Sequence, residues 1–259
     1  MRKITINLAA VAAFCIVVAS PALVSSSCAT PKTEQEDTTI IREDSGITAL
    51  KYSSPEVPAS IEFCGKTIDL SRFDRHERMD RELLAFTYMH STSLQMLKKA
   101  NRYFPIVEPI LKENGIPDDF KYLMVIESNM NPTARSSAGA AGLWQFMQGT
   151  GRDYGLEVNN NVDERYHIEK ATRAACRYLK DAYAKYKDWV AVAASYNAGQ
   201  ARIASQLAKQ DVDDSLDLQL VEETARYVYR ILAAKQLFNA PTTFGFRLRA
   251  SDLYPPIPY

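Results

Sequence analysis

Apolar side chains recur at helical spacing through most of the chain from about residue 61 onward. The segment Ile61 to Leu70 departs from this. It predicts a short extended piece that turns at Gly65. From Arg72 to Phe104, Met79, Leu83, Phe86 and Met89, then Leu94, Leu97 and Tyr103, mark one long helix or two. Pro105 predicts a break, because proline removes a helix donor and clashes with the preceding turn. Ile106 to Asn114 then reads as a short helix that stops at Gly115. Pro117 with Asp118 and Asp119 opens a helix running to Glu127, since proline suits a first turn and acids suit the positive end.

Beyond it, Asn131-Pro132 and the small-residue stretch to Gly142 predict a loop, and Leu143 to Tyr154 a helix ending at Gly155. Asp163 is placed to cap a long helix whose inner face carries Ile168, Ala171, Ala175, Tyr178 and Leu179. Asp188 is placed to cap the Ala-rich segment Trp189 to Asn197; Gly199 opens a short helix, and Glu222 to Phe238 forms the last strong one. No internal repeat of solenoid length occurs. The fold class is therefore all-α with a minor β element.

The first 29 residues differ from the rest. Arg2 and Lys3 precede an apolar run from Ile4 to Val18, and small residues follow to Ala29. This is the layout of a secretory signal, and the run is shorter than the roughly 20 residues of a membrane span. Cys28 is a candidate lipidation site, although Ser25 stands where a lipoprotein signal has an aliphatic residue; plain cleavage after Ala29 is the alternative. An acyl anchor would hold the protein at a membrane. Residues 30–60 are rich in Thr, Ser, Glu and Pro and predict a flexible tether, leaving 61–259 as one domain. The expected location is exported, either periplasmic or anchored on the periplasmic side, with an outer-membrane lipoprotein as one form.

Acidic and basic residues balance at 31 each, and no basic block stands out, so nucleic acid is not an expected partner. His76, His90 and His167 are scattered, without metal-site spacing, and no metal or cofactor is expected. There is no Gly-x-Ser-x-Gly elbow and no phosphate-cradling Gly-rich loop. Cys64 and Cys176 are expected to be free thiols, and the protein a monomer.

Candidate chemistry starts with one carboxylate. Phe120, Leu123, Met124 and Glu127 lie at i, i+3, i+4 and i+7 and share a helix face. Three apolar side chains drive that face inward and carry Glu127 to its edge. Desolvation and the negative end of the helix both favour the protonated carboxyl. A carboxyl that keeps its proton near neutral pH suits protonation of a glycosidic oxygen.

The segment Ile126-Glu127-Ser128-Asn129-Met130-Asn131-Pro132 resembles the first motif of the lytic transglycosylases. Ser136 to Met147, with Gly142-Leu143-Trp144-Gln145-Phe146 inside it, resembles the second. Ser195-Tyr196-Asn197-Ala198-Gly199 resembles the third, with Ser195 where Ala is usual, and Glu223-Thr224-Ala225-Arg226-Tyr227-Val228 resembles the fourth. The match covers a core of about residues 106–239 and is nearest in style to the membrane-bound group. Members of that group often carry LysM repeats, and none is found in this sequence.

The resemblance implies a lysozyme-like helical domain with a cleft. It implies cleavage of peptidoglycan between N-acetylmuramic acid and N-acetylglucosamine. Glu127 would act alone as acid and then base, the muramic C6 hydroxyl would close on C1, and a 1,6-anhydromuramic end would result. Ser128, Gln145, Tyr196, Asn197 and Tyr227 are the candidate substrate-binding residues, the tyrosines also as partners of Glu127. Trp144 and Phe146 read as core. Glu223 reads equally as a helix-start residue or a site residue. One alternative is a lysozyme-type hydrolase, which needs a second carboxylate from Asp163, Glu164 or Glu223. The other is a non-catalytic peptidoglycan-binding envelope protein.

Overall fold

The computed structural model describes residues 54–257. The signal, most of the tether and Cys28 lie outside the described residues. The fold opens with a hairpin of β1 (Ser60–Phe63) and β2 (Lys66–Asp69), with Ile61 opposite Ile68. Cys64 (φ 53°) and Gly65 (φ 80°) form its two-residue turn, which demands positive φ at both positions. Asp119 holds this turn, accepting from the Cys64 N–H at 2.7 Å. Lys235 bridges Asp119 at 2.7 Å and the Glu62 carbonyl at 2.6 Å, so the hairpin is tied to two helices.

Among the described residues eight α-helices follow: α1 (Phe73–Tyr88), α2 (His90–Glu113), α3 (Phe120–Ser128), α4 (Gln148–Asp153), α5 (Ile168–Tyr186), α6 (Trp189–Ala198), α7 (Gln200–Lys209) and α8 (Glu222–Asn239). Single 3-10 turns lie at Glu164–Tyr166, Ser215–Asp217, Pro241–Phe244 and Ala250–Asp252. The all-α class with a minor β element is what the structure has.

α3 lies in the core. Phe120 and the continuous run Tyr122 to Ile126 are buried, as expected for a helix apolar on every side. It packs against α2 and α8. α6 lies across α5, α7 and α8, and its buried Ala191, Val192, Ala193 and Ala194 let neighbouring backbones approach closely. Asp188 caps α6 by accepting from the Val190 N–H, as the sequence predicts.

Three expectations about the helices are corrected. The break falls at Met89, not at Pro105. The polar run His90 to Ser93 draws backbone groups away from the helix ladder: Ser93 Oγ donates to the Phe86 carbonyl at 2.6 Å. α2 runs through both Pro105 and Pro109. Each proline leaves one carbonyl four residues back without its donor, at Asn101 and Pro105. These positions and Pro109 form one exposed stripe where water can take the missing bond.

Leu143 to Met147 is not helical. It is a tight turn in which Ala141 pairs with Phe146, and only Gln148–Asp153 forms helix. Asp163 caps the 3-10 turn at Glu164–Tyr166 and not the long helix; α5 starts at Ile168 after His167, with no side-chain cap.

Candidate active site

Glu127 occupies the last turn of α3. Asn129 (φ 48°) and Met130 (φ 56°) then turn the chain sharply away in two successive left-handed residues. Glu127 is half-buried, and its carboxyl is pushed up from its ordinary value of 4.5 to about 7. Burial is the main cause. The Tyr227 hydroxyl and the nearby Arg230 favour the charged form, Glu223 opposes it, and burial prevails.

α8 brings Tyr227 to this carboxyl. The Tyr227 hydroxyl donates to Glu127 Oε1 in a short hydrogen bond. Tyr227 is 3% exposed, and burial beside the Glu127 charge holds its own proton firmly, well above the ordinary phenol range. Glu223 and Arg230 stand one turn on either side of Tyr227 along α8.

Tyr196 on α6 also lies within the electrostatic reach of Glu127, but its hydroxyl is committed elsewhere: it donates to the Trp144 carbonyl at 2.8 Å. Its ring sits among Phe146, Trp144 and Tyr178, with centroids 6.1, 6.5 and 5.0 Å away. Trp144 and Phe146 are buried core, as the sequence suggests. Trp144 Nε1 donates to Thr172 Oγ1 at 2.9 Å.

The other candidates have mixed outcomes. Gln145 (φ 49°) turns its amide nitrogen back to the Gly142 carbonyl at 2.8 Å and the Ala134 carbonyl at 3.2 Å, so its donor half braces the loop. Ser128 is buried, and its hydroxyl returns to the Met124 carbonyl at 3.3 Å. Asn197 accepts from Thr224 Oγ1 at 2.8 Å and donates to Glu223 Oε1 at 3.4 Å, tying the end of α6 to the start of α8. Tyr227 alone of the five candidates hydrogen-bonds Glu127.

The sequence reading missed Arg165. This guanidinium is buried at 1% exposure, pairs with both oxygens of Asp163 at 2.9 and 2.7 Å, and donates to the Gly139 and Phe146 carbonyls at 2.8 and 2.9 Å. It moulds the loop that carries Gln145. Gly142 (φ 79°) packs on the same residue: a Cβ there would fall 1.9 Å from the Arg165 carbonyl oxygen. The available signal was an arginine two residues after a capping aspartate. Its partners are loop carbonyls that no local pattern specifies.

A surface cavity of about 780 Å³ lies elsewhere, beside Pro105, Pro109, Ile116 and Pro117. It does not contain Glu127.

Residues 105–217 match the family model of the transglycosylase SLT domain. This stretch includes Glu127, Gln145, Tyr196 and Asn197 and ends before Tyr227. The chain is 30% identical to membrane-bound lytic murein transglycosylase D of Escherichia coli strain K12 over 68% of this chain and 39% of that protein. It is 29% identical to membrane-bound lytic murein transglycosylase C of Haemophilus ducreyi over 52% of this chain and 40% of that protein. The chain thus spans about two fifths of the length of these curated relatives. Among solved structures it is similar to an inactive mutant of lytic transglycosylase Slt from Pseudomonas aeruginosa, at 22% identity and a TM-score of 0.46, over 55% of this chain and 24% of that one. Residues 105–217 of the chain thus match a transglycosylase SLT domain, and over 68% of its length the chain is similar to a membrane-bound lytic murein transglycosylase.

Proposed function

We propose that this protein cleaves the bond between N-acetylmuramic acid and N-acetylglucosamine in peptidoglycan and leaves 1,6-anhydromuramic ends. The observation that carries the reading is the Glu127–Tyr227 pair: a half-buried carboxyl poised near pH 7 and oriented by a buried phenol. A group with that pKa can donate a proton to the glycosidic oxygen and hold one back on demand. Glu127 protonates the leaving oxygen, and an oxocarbenium-like sugar forms. The resulting carboxylate then takes the proton of the muramic C6 hydroxyl as that oxygen bonds to C1. Bond breaking and bond making balance without water.

Tyr227 keeps the carboxyl oriented through both steps. Tyr196 holds the loop after Gly142 against α6, and Gln145 braces that loop through its amide nitrogen. Asn197 fixes Glu223. Ser128 completes the turn at the end of α3.

The hydrolytic alternative needs a second free carboxylate. Asp163 is locked on Arg165, and Glu164 binds Lys170 and the Glu157 N–H. Of the three candidates only Glu223 is left, exposed near Glu127 and held by Asn197 at 3.4 Å, so product mass decides between closure and attack by water.

Residues 1–29 and Cys28 support export and lipid attachment on the periplasmic side, in keeping with relatives named as membrane-bound. The test is the mass of products from purified glycan strands. Transglycosylation gives products lighter by one water than hydrolysis. Free reducing muramic ends would replace this reading with the lysozyme one.

A further inference from the structure

α1 and α8 share the most extensive helix–helix contact among the described residues, and two ion pairs cross it. Arg81 pairs with Glu222 at the surface. Deeper, Arg226 donates from Nε and from a terminal nitrogen to the two oxygens of Glu82 at 2.6 and 3.2 Å. The Glu82 side chain is 3% exposed, and Arg226 is its only side-chain hydrogen-bond partner among the described residues. Both lie outside the stretch that matches the family model.

With Glu82 buried and Arg226 34% exposed, the pair is poorly explained by stability alone, because an apolar replacement of similar volume is commonly as stable as a desolvated ion pair or more so. The pair does supply register. Arg81 and Glu82 are adjacent on α1, and their partners Glu222 and Arg226 are one turn apart on α8. A one-turn slip of α8 in one direction sets Glu222 against Glu82, and Glu223 takes the place of Tyr227 at Glu127. A slip in the other direction leaves Glu82 an arginine, Arg230, but sets Arg226 against Arg81, and Ile231 takes the place of Tyr227. Each slip brings like charges together and removes the hydroxyl from the carboxyl.

We propose that Glu82 is a positioning residue for the reaction: paired with Arg226, it fixes the register of α8 that brings the Tyr227 hydroxyl to Glu127. The inference rests on Glu127 being the acid of the proposed function. Glu82 acts through Arg226 and the helix, one residue before Tyr227.

The test is a double-mutant cycle on purified glycan strands, reading kcat, KM and the pH profile, with thermal unfolding as a check on folding. Tyr227→Phe removes a hydrogen bond to a charged group and should lower kcat about ten- to a hundredfold at little change in KM. It should also move the alkaline limb of kcat/KM to higher pH. Glu82→Gln should move both readouts the same way. Added to Tyr227→Phe, it should change neither further, because its route to the carboxyl is already gone. Arg226→Lys should retain more rate than Arg226→Gln.

If Glu82→Gln does not fold, Glu82→Met with Arg226→Met removes both charges together and should show the same loss of kcat and the same shifted limb. A wild-type kcat and limb in either variant overturns the proposal. So do effects of Glu82→Gln and Tyr227→Phe that multiply as independent changes. Wild-type protein that does not cleave the glycan overturns this proposal and the proposed function together, and cleavage to free reducing ends with the coupling intact overturns the proposed function alone. Anhydro ends without coupling between Glu82 and Tyr227 overturn this one alone.

Discussion

Glu127→Gln separates the chemistry of the site from its stability. The swap keeps the side-chain shape and removes the transferable proton. General acid–base help is worth about 10²–10⁴-fold, and one group serving both steps should put the loss at or above the top of that range. Stability should move the other way. The folded carboxyl holds its proton up to about pH 7, while the unfolded one releases it near its ordinary 4.5. Between those values the native state binds more protons, so wild-type stability falls as pH rises. The contribution is fully present below about pH 4.5 and gone above about pH 7. The shift of about 2.5 units, 7 minus 4.5, at 1.36 kcal/mol per unit gives about 3 kcal/mol. This is an upper limit, since Glu127 keeps one side toward solvent. Glutamine has no such dependence. Urea unfolding of both proteins at pH 4 and pH 8 measures the difference directly. Relative to wild type, the variant should gain up to that amount between the two pH values, while its cleavage activity stays negligible. A wild-type-minus-variant difference that is the same at both pH values would refute burial as the cause of the raised carboxyl. Retention of full activity would refute Glu127 as the acid.

Gly142→Ala should cost about 3 kcal/mol or more and lower the melting temperature sharply, because the new Cβ would meet the Arg165 carbonyl oxygen at 1.9 Å; a melting curve like that of wild type would contradict this. Arg165→Met leaves Asp163 and two loop carbonyls unpaired and should cost about 3–5 kcal/mol in chemical denaturation, with Asp163→Asn less severe. Cys64 and Cys176 are free; burial pushes the Cys176 thiol up to about 11 and the Cys64 thiol higher still. Native protein at pH 8 should therefore alkylate slowly at both, and denatured protein should label both without reductant. Fast native labelling, or a mass showing a bridge, would count against the packing described.

Much of the fold is local, and the sequence reports it. The helical spacing of Phe120, Leu123, Met124 and Glu127 places the carboxyl on the core side of α3, because that face is decided within seven residues. Asp188 as a cap, Gly65 as a turn and the run of α8 follow from equally local chemistry. Local signals fail where a distant partner decides. Pro105 should end a helix, yet α2 continues, and the residues whose carbonyls lose their donors, Asn101 and Pro105, lie on its exposed side. Leu143 to Phe146 has helical composition, yet it turns around the Arg165 guanidinium.

The site shows the same division. The sequence by itself singled out Glu127 at the edge of an apolar helix face, and the structure has that carboxyl partly desolvated. Only the tertiary structure decided that Tyr227, 100 residues away, is the group that holds it. Likewise it decided that Tyr196 and Gln145 spend their polar atoms on the loop, and that Glu82 faces Arg226. Periodicity tells which way a side chain points along its own helix. It carries no information about which neighbour the packing of two helices will set opposite.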